Sequence, residues 1–135
     1  MAAKLLIYHM EEVRRGAVEG LCGALGIEPV PVDDSSWGAP VGLLSGSADL
    51  RTLSQAAADT AGEAPGAGID EEMIVMSGLS KEQFNALLDG LREMSLRVAL
   101  KAVETPTNQS WSGRRLQAEL KRERSAMEEM RRKRT

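Results

Sequence analysis

Aromatic residues and cysteine are scarce in this chain, and each shortage excludes a class of protein. Aromatic residues make up only 3% of the 135 residues, so Leu, Val, Ile, Ala and Met must fill the core. The single cysteine, Cys22, cannot form an internal disulfide, which favours a reducing, cytoplasmic compartment over a secreted scaffold. Because Cys22 lies on the apolar stripe of a predicted helix, we expect a buried structural thiol rather than a nucleophile.

Long apolar runs and known catalytic motifs are also missing. No run approaches the length of a membrane span, and the N-terminal MAAKLLIYHMEE lacks the three-part layout of a signal peptide. The chain has no GxGxxG, P-loop, HExxH or CxxC motif. Its only histidine, His9, cannot make a zinc site by itself. We therefore expect no metal, no cofactor and no membrane contact.

Charge is divided unevenly along the chain. From Gly113 onward there are nine Lys/Arg and four Asp/Glu, a net of +5, whereas the preceding residues carry a net of −8. A basic C-terminal helix, predicted at about 113–134, can therefore lie on the acidic body or mediate a homodimer or another protein contact. The terminal RRKR also suits nucleic acid, but the chain is acidic overall and lacks aromatic stacking platforms. A solvated helix end is the favoured interpretation.

Hydrophobic periodicity predicts one α/β domain over residues 1–135. A short helix over 50–60 and a flexible segment over 56–70 are predicted near its middle. Another helix is expected behind a capping box formed by Ser80 and Gln83, and Gly26 is expected to end the first helix. The predicted strands are 4–10, 27–32 at a sheet edge because of its two prolines, 73–76 and 97–103. In the last of these, Val98, Leu100 and Ala102 are expected to share one face.

Two architectures fit this order of elements. One is a small three-layer α/β fold with a mainly parallel sheet of about four strands and a C-terminal helix. The other is a ferredoxin-like α+β fold built from a split βαβ pair. The continuous apolar strands favour the first, because strands of parallel sheets are buried on both faces.

The stretch 105-TPTNQSW-111 concentrates hydrogen-bonding groups where a strand gives way to a helix. Free amides at a helix start attract anions, so the sequence predicts an anionic small-molecule site. The predicted ligand-binding residues are Lys101, Thr105, Thr107, Asn108, Ser110 and Trp111. The structural alternative is a set of turn-forming and helix-capping residues, which are commoner than ligand sites. A cap needs one such residue, however, and four are present here.

Strand direction decides whether His9 joins this turn. In a parallel sheet the strand ends at His9, Ser77 and Thr105–Asn108 converge on one edge, where open α/β sheets bind ligands. In a ferredoxin-like sheet His9 lies at the opposite end. We expect a binding or interaction protein. The alternative is a small enzyme that uses His9 with Thr105, Thr107 and Asn108 on a phosphate- or carboxylate-bearing substrate.

The C-terminal half also carries a family resemblance. The run 73-MIVMSGLSKEQFNALLDGLREM-94 and the following 98-VALKAVETPTNQSW-111 resemble DUF3783, a family of small bacterial proteins of unknown function. The matching positions are Leu100–Val103, Thr105–Asn108 and Trp111, with weaker similarity in 5-LLIY-8 and 42-GLLSG-46. The departures are Glu104, where the family pattern has an apolar residue, and an Ala/Gly-rich insertion at 56–68. The resemblance implies a strand–helix–strand unit followed by a charged helix, and no activity.

Overall fold

A computed structural model describes residues 3–47 and 70–133 of the chain. The predicted helix over 50–60 lies outside these residues, as does the predicted flexible segment except for Asp70. A single 3₁₀ turn covers Asp34–Ser36. The described strands and helices, in chain order, are β1 (Lys4–Tyr8), α1 (Glu12–Leu25), β2 (Glu28–Val32), α2 (Val41–Ser45), β3 (Met73–Ser77), α3 (Lys81–Glu93), β4 (Leu100–Val103) and α4 (Gly113–Lys133).

Local signals in the sequence set the ends of two helices. Helix α1 stops at Gly26, whose φ of 73° is in the left-handed region that glycine adopts without a steric penalty. Helix α3 begins at the capping box, where the Gln83 amide donates to Ser80 Oγ at 3.1 Å and the Ser80 amide donates to Gln83 Oε1 at 2.9 Å. Both predicted boundaries are confirmed.

The strands form one mixed sheet in the order β2-β1-β3-β4. Strands β1 and β2 are parallel, β3 and β4 are parallel, and the central pair β1/β3 is antiparallel with Leu6 opposite Val75. Two βαβ units therefore lie side by side and point in opposite directions. The predicted α/β fold with about four strands and a C-terminal helix is confirmed. The ferredoxin-like alternative is wrong, because the two strands of each unit are direct neighbours and are not split by another strand.

Each face of the sheet is covered by its own pair of helices, which gives three layers. Side chains alternate along a strand, so Leu5 and Ile7 of β1 face one layer while Leu6 and Tyr8 face the other. Helices α1 and α3 cover the first face, and α2 and α4 cover the second. The first layer is completed mainly by Val18, Cys22, Ile74, Met76, Leu87 and Leu91, and the second by Val32, Val41, Met73, Val75, Leu100, Ala102 and Leu116.

The last strand is shorter than predicted and begins only at Leu100. Leu100 and Ala102 share the face toward α4, but Val98 packs in the opposite layer with the α1/α3 side. The predicted common face for these three residues is therefore wrong at Val98, because Val98 precedes the paired strand. None of the helices in the described ranges has the length and apolar character needed to cross a bilayer.

Candidate functional site

The turn after β4 satisfies its own polar groups. The Thr105 amide donates to Asn108 Oδ1 at 2.8 Å, and the Asn108 amide donates back to Thr105 Oγ1 at 3.2 Å. Asn108 Nδ2 donates to the Val103 carbonyl at 3.1 Å, and the Asn108 side chain is buried. This reciprocal arrangement resembles a capping box and leaves the Asn108 side chain committed to the turn.

The same turn completes the starts of two helices. Ser112 Oγ accepts from the Arg115 amide at 3.1 Å in the first turn of α4. The carbonyls of Trp111 and Gln109 accept from Val41 and Gly42, the first two amides of α2, each at 2.8 Å. Helix α2 has only five residues and no side-chain cap of its own. It was not predicted, because the acceptors that stabilise it lie about 70 positions away in the sequence.

The remaining predicted ligand residues do not gather around one point. Lys101 Nζ donates to the Val98 carbonyl at 3.4 Å, toward the start of β4 and away from the turn. Thr107 is exposed, whereas Ser110 is buried. Trp111 is partly buried, and the Arg115 guanidinium lies over its ring at 4.5 Å from the centroid. The geometry of the turn matches the structural alternative more closely than a ligand cradle.

Glu104 is the centre of a polar cluster that sequence reasoning did not identify. Its carboxylate accepts hydrogen bonds from three serine hydroxyls: Ser45 at 2.6 Å, Ser77 at 2.8 Å and Ser47 at 3.0 Å. Gln109 Nε2 also donates to Ser47 Oγ at 3.3 Å. Through these hydrogen bonds the carboxylate, at the end of β4, connects the end of α2 with the end of β3. The only signal in the sequence was the departure of Glu104 from the apolar family pattern.

His9 lies at the other end of the sheet from this turn. Because β1 runs antiparallel to β3, Tyr8 is opposite Met73 at the start of β3, and Lys4 is opposite Ser77 at its end. His9 follows Tyr8, whereas Asn108 follows the end of β4. The predicted convergence of His9 with Ser77 and Thr105–Asn108 is therefore wrong. It assumed a parallel arrangement of β1 with β3.

A groove lies where β1 and β2 end and α1 begins. It has a volume of about 840 Å³. His9 has a φ of 54°, in the left-handed region that non-glycine residues rarely adopt, and its ring lies edge-on to Trp37 at 5.9 Å between centroids. The groove is lined by Ile7, His9, Met10, Glu11, Arg14, Arg15, Pro31, Val32, Asp33, Asp70 and Glu72.

Most charged groups of the groove already have partners. Arg14 donates to both carboxylate oxygens of Glu72, at 2.7 and 2.8 Å, and this hydrogen bonding raises the pKa of the guanidinium. Asp70 pairs with Lys121, whose ammonium holds the pKa of that carboxyl below its usual range. Hydrogen bonds from Ser35 lower the pKa of the exposed Asp33. Across the described ranges, no three carboxylate, imidazole or thiol groups are placed to hold a metal ion.

The acidic triplet 70–72 also has a structural role. Arg124 donates to both oxygens of Glu71, at 3.0 and 2.9 Å, and the pKa of Glu71 is lowered by this contact. Gln117 adds bonds to the Asp70 amide at 3.0 Å and the Glu71 carbonyl at 2.9 Å. These contacts fasten α4 across the start of β3.

Two further ionisable groups are buried away from the groove. Cys22 is fully buried and free, and burial raises its pKa to about 11, so its thiol is protonated at neutral pH. Tyr8 is also fully buried, and burial followed by the negative charge of Glu104 raises the pKa of its hydroxyl. Neither residue has the setting of a nucleophile or base. The expected buried thiol is present.

The fold and the groove define a small α/β domain made of two oppositely directed βαβ units. Residues 72–127 match the family model described as "Domain of unknown function (DUF3783)", so this part of the chain is similar to that family, as its motifs predicted. The match begins just before β3 and ends within α4. None of the curated proteins and none of the solved structures matches the chain.

Proposed function

We propose that the protein is a binding protein whose small polar ligand lies in the groove between His9 and the first turn of α1. The observation that carries this proposal is the position of the groove at the carboxyl ends of two parallel strands joined by a helix. Open α/β sheets bind ligands in such crevices, because the adjoining loops and the helix start direct polar groups there.

The chemistry of the groove favours a ligand that both accepts and donates hydrogen bonds. Glu11 occupies the N-cap position of α1, but its side chain makes no capping bond, so acceptor atoms of a ligand are favoured at this helix start. The lining contains four carboxylates and two guanidinium groups. A simple anion would meet a negative surface. A ligand with an anionic group together with amine or hydroxyl donors, such as an amino-acid-like molecule, fits better.

In the enzyme alternative, the residues predicted to act with His9 lie at the other end of the sheet. His9 cannot act together with Thr105, Thr107 and Asn108 on one substrate when the two groups are at opposite ends of the sheet. The proposed anionic site at 105–111 is also less favoured than the groove, since the Asn108 side chain already bonds within the turn. The free, buried thiol of Cys22 supports a reducing location such as the bacterial cytoplasm.

A ligand screen by thermal shift tests the proposal. The panel contains amino acids, carboxylates, phosphorylated metabolites and nucleotides, and any stabilising compound is then titrated by calorimetry. A ligand that binds only the folded chain at 100 times its dissociation constant stabilises it by about 2.7 kcal/mol. We expect a compound with both an anionic group and a donor to stabilise the wild type.

Three variants locate the site. His9→Asn keeps a residue that tolerates positive φ while removing the imidazole, and Asp33→Asn removes one groove charge. Both should weaken binding at least tenfold without lowering the starting Tm. Asn108→Ala should lower the Tm but leave the dissociation constant unchanged. Loss of binding in Asn108→Ala alone would assign the ligand to the turn at 105–111, and no binding by any compound would refute the groove hypothesis.

A further inference from the structure

The outer edge of β4 presents two backbone amides that have no acceptor among the described residues. β4 is one of the two edge strands. The Leu100 and Glu104 amides donate inward to β3, at 3.2 Å to the Glu72 carbonyl and 2.8 Å to the Met76 carbonyl. The alternating residues Lys101 and Val103 therefore direct their amides outward. Among the described residues, nothing accepts from either amide.

The opposite edge of the sheet, formed by β2, is protected against pairing with a further strand. In β2 the Glu28 amide donates inward to the Ala3 carbonyl at 2.9 Å, so the outward positions are Pro29 and Pro31. Proline has no amide hydrogen, and edge prolines are a common protection against unwanted strand pairing. No proline occurs in β4. One edge of this sheet is closed to a further strand and the other is open.

Apolar side chains surround the open edge. Val103 of β4 is 49% exposed, and Met127 and Met130 of α4 are 61% and 59% exposed. A groove of about 280 Å³ separates the start of β4 from α4, with Leu100 on one side and Met127 on the other. Residues 122–133 of α4 are exposed throughout. We call these twelve residues the α4 arm.

We propose that two copies of the chain associate through β4, antiparallel about a two-fold axis at Ala102, with each α4 arm packed on the partner copy. The outward groups of Lys101 and Val103 are two residues apart. In this register, Lys101 of each copy lies opposite Val103 of the other. The Val103 amide can donate to the Lys101 carbonyl, and the Lys101 amide can donate to the second lone pair of the Val103 carbonyl, which already accepts from Asn108 Nδ2. The edge is thus complementary to itself, as a two-fold interface requires. This proposal does not depend on a ligand in the groove near His9.

The length of α4 favours a second strand over a small ligand at this edge. Lys121 and Arg124 hold α4 at the start of β3, and the helix then passes the start of β4. From Leu120 to Lys133 the helix extends about 20 Å at 1.5 Å per residue. Because neighbouring strands are about 4.8 Å apart, that length can cover several strands of an added sheet. Met127 and Met130 would then be buried against the partner.

Charge complementarity identifies a second copy as the occupant. The part of the chain from Gly113 onward carries a net charge of +5 and the preceding residues carry −8. Arg131 and Lys133 at the end of the described arm would therefore be attracted by the net negative charge of another copy's body. The body would repel a nucleic acid, which makes nucleic acid the weaker candidate for the arm.

Sedimentation of the full-length chain over a micromolar concentration series tests the proposal. We expect a species of about 29 kDa, twice the 14.6 kDa of one chain. Val103→Pro removes an outward amide without removing a bond to β3, and it should give a folded monomer. Val103→Thr is the matched control, since it keeps the amide and the branched side chain, and it should remain dimeric. Adding salt should weaken the dimer.

A cysteine cross-link provides an independent test that does not depend on the proline variant folding. In the proposed register Ala102 faces Ala102 of the partner in a non-hydrogen-bonded pair, with Cα atoms about 4.5 Å apart, within disulfide range. Oxidation of Ala102→Cys should give a covalent dimer, whereas Lys101→Cys should not. Cys22 is buried and does not interfere.

Three results would overturn association of two copies through β4, and a fourth would overturn its register. One is a wild-type monomer at every concentration. Another is a dimer that Val103→Pro leaves intact, since association would then not involve the β4 edge. The third is a mass increase that occurs only after RNA or DNA is added, which would assign the basic arm to nucleic acid. Failure of Ala102→Cys to cross-link would refute the two-fold register at that residue.

Discussion

Replacing Glu104 by alanine is expected to destabilise the fold by about 2–4 kcal/mol. Its carboxylate accepts from three hydroxyls, and two of the donors, Ser45 and Ser77, are buried. A hydrogen bond to a charged group contributes about 1.5–3 kcal/mol, and a buried donor left without an acceptor costs about 1–3 kcal/mol. The sum is reduced because Ser47 and part of the carboxylate remain accessible to water, which can replace lost bonds.

Urea and thermal denaturation of the wild type and two Glu104 variants measure this effect. For a chain of this size we expect Glu104→Ala to lower the Tm by about 10 °C. Glu104→Gln keeps one acceptor oxygen and should lose about half as much stability. Glu104→Leu restores the apolar residue of the family pattern but removes the acceptor of the buried Ser77 hydroxyl, so it should not recover the wild-type value.

A double-mutant cycle separates the bonds from simple loss of side-chain volume. Ser77→Ala combined with Glu104→Ala should cost less than the sum of the two single changes, with a coupling of about 1 kcal/mol. The reasoning is refuted if Glu104→Ala is within about 0.5 kcal/mol of the wild type, or if the two changes are additive. Either result would mean that water replaces the serine bonds at no net cost.

Three further changes test the turn, the helix contact and the charge pairing. Asn108→Ala should lower the free energy of unfolding by about 1–3 kcal/mol in urea denaturation, and Asn108→Asp, which keeps one acceptor oxygen, should lower it less. Gly113→Ala places a Cβ against the ring of the buried Tyr8 and should cost about 1–3 kcal/mol, whereas Gly20→Ala, in open space within α1, should add about 0.4–1 kcal/mol. Because Arg124 depresses the pKa of Glu71, that pairing contributes stability above the ordinary carboxyl pKa and loses it as the pH falls below about 4. In denaturation measured from pH 6 to pH 3, Arg124→Met should therefore lose less stability on acidification than the wild type. A pH profile equal to that of the wild type would contradict the Glu71–Arg124 pairing. Equal stability of Asn108→Ala and the wild type, or of Gly113→Ala and the wild type, would contradict the turn bonds or the tyrosine contact.

Local signals were sufficient to predict most of the helices and strands. The Ser80–Gln83 capping box and Gly26 each act within a few residues of the helix end that they set. The prolines of β2 placed that strand at an edge because their missing amides prevent central pairing. The continuous apolar run of β1 predicted that both faces of the sheet are covered, since neighbouring side chains along a strand point to opposite faces.

The direction of β1 relative to β3 could not be predicted from these signals. A short apolar strand pairs in either direction, and the choice depends on contacts between residues about 70 positions apart, such as Leu6 and Val75. That single undetermined choice placed His9 beside Asn108 in the predicted site and at the opposite end in the structure. The groove near His9 was missed because its lining comes from three separate segments, within 7–15, 31–33 and 70–72.

The turn at 105–111 illustrates a different limit. Its residue types indicated hydrogen bonding correctly, but composition does not distinguish donors for a ligand from donors for the chain itself. Two carbonyls of the turn accept from the Val41 and Gly42 amides, which belong to α2, a helix that was not predicted. Glu104 was noticed as unusual, yet its three serine partners come from the distant ends of α2 and β3.

The antiparallel pairing at the centre of the sheet gives this small domain two opposite poles. In a fully parallel sheet all strand carboxyl ends lie at one edge, so the loops that follow them are neighbours in space. Here the loop after β1 and the loop after β4 lie at opposite rims of the sheet. The hydrogen bonds between Thr105 and Asn108 therefore involve no group of the rim around His9. Evolution can diversify one rim of the domain while the other remains fixed as the element that holds the fold together.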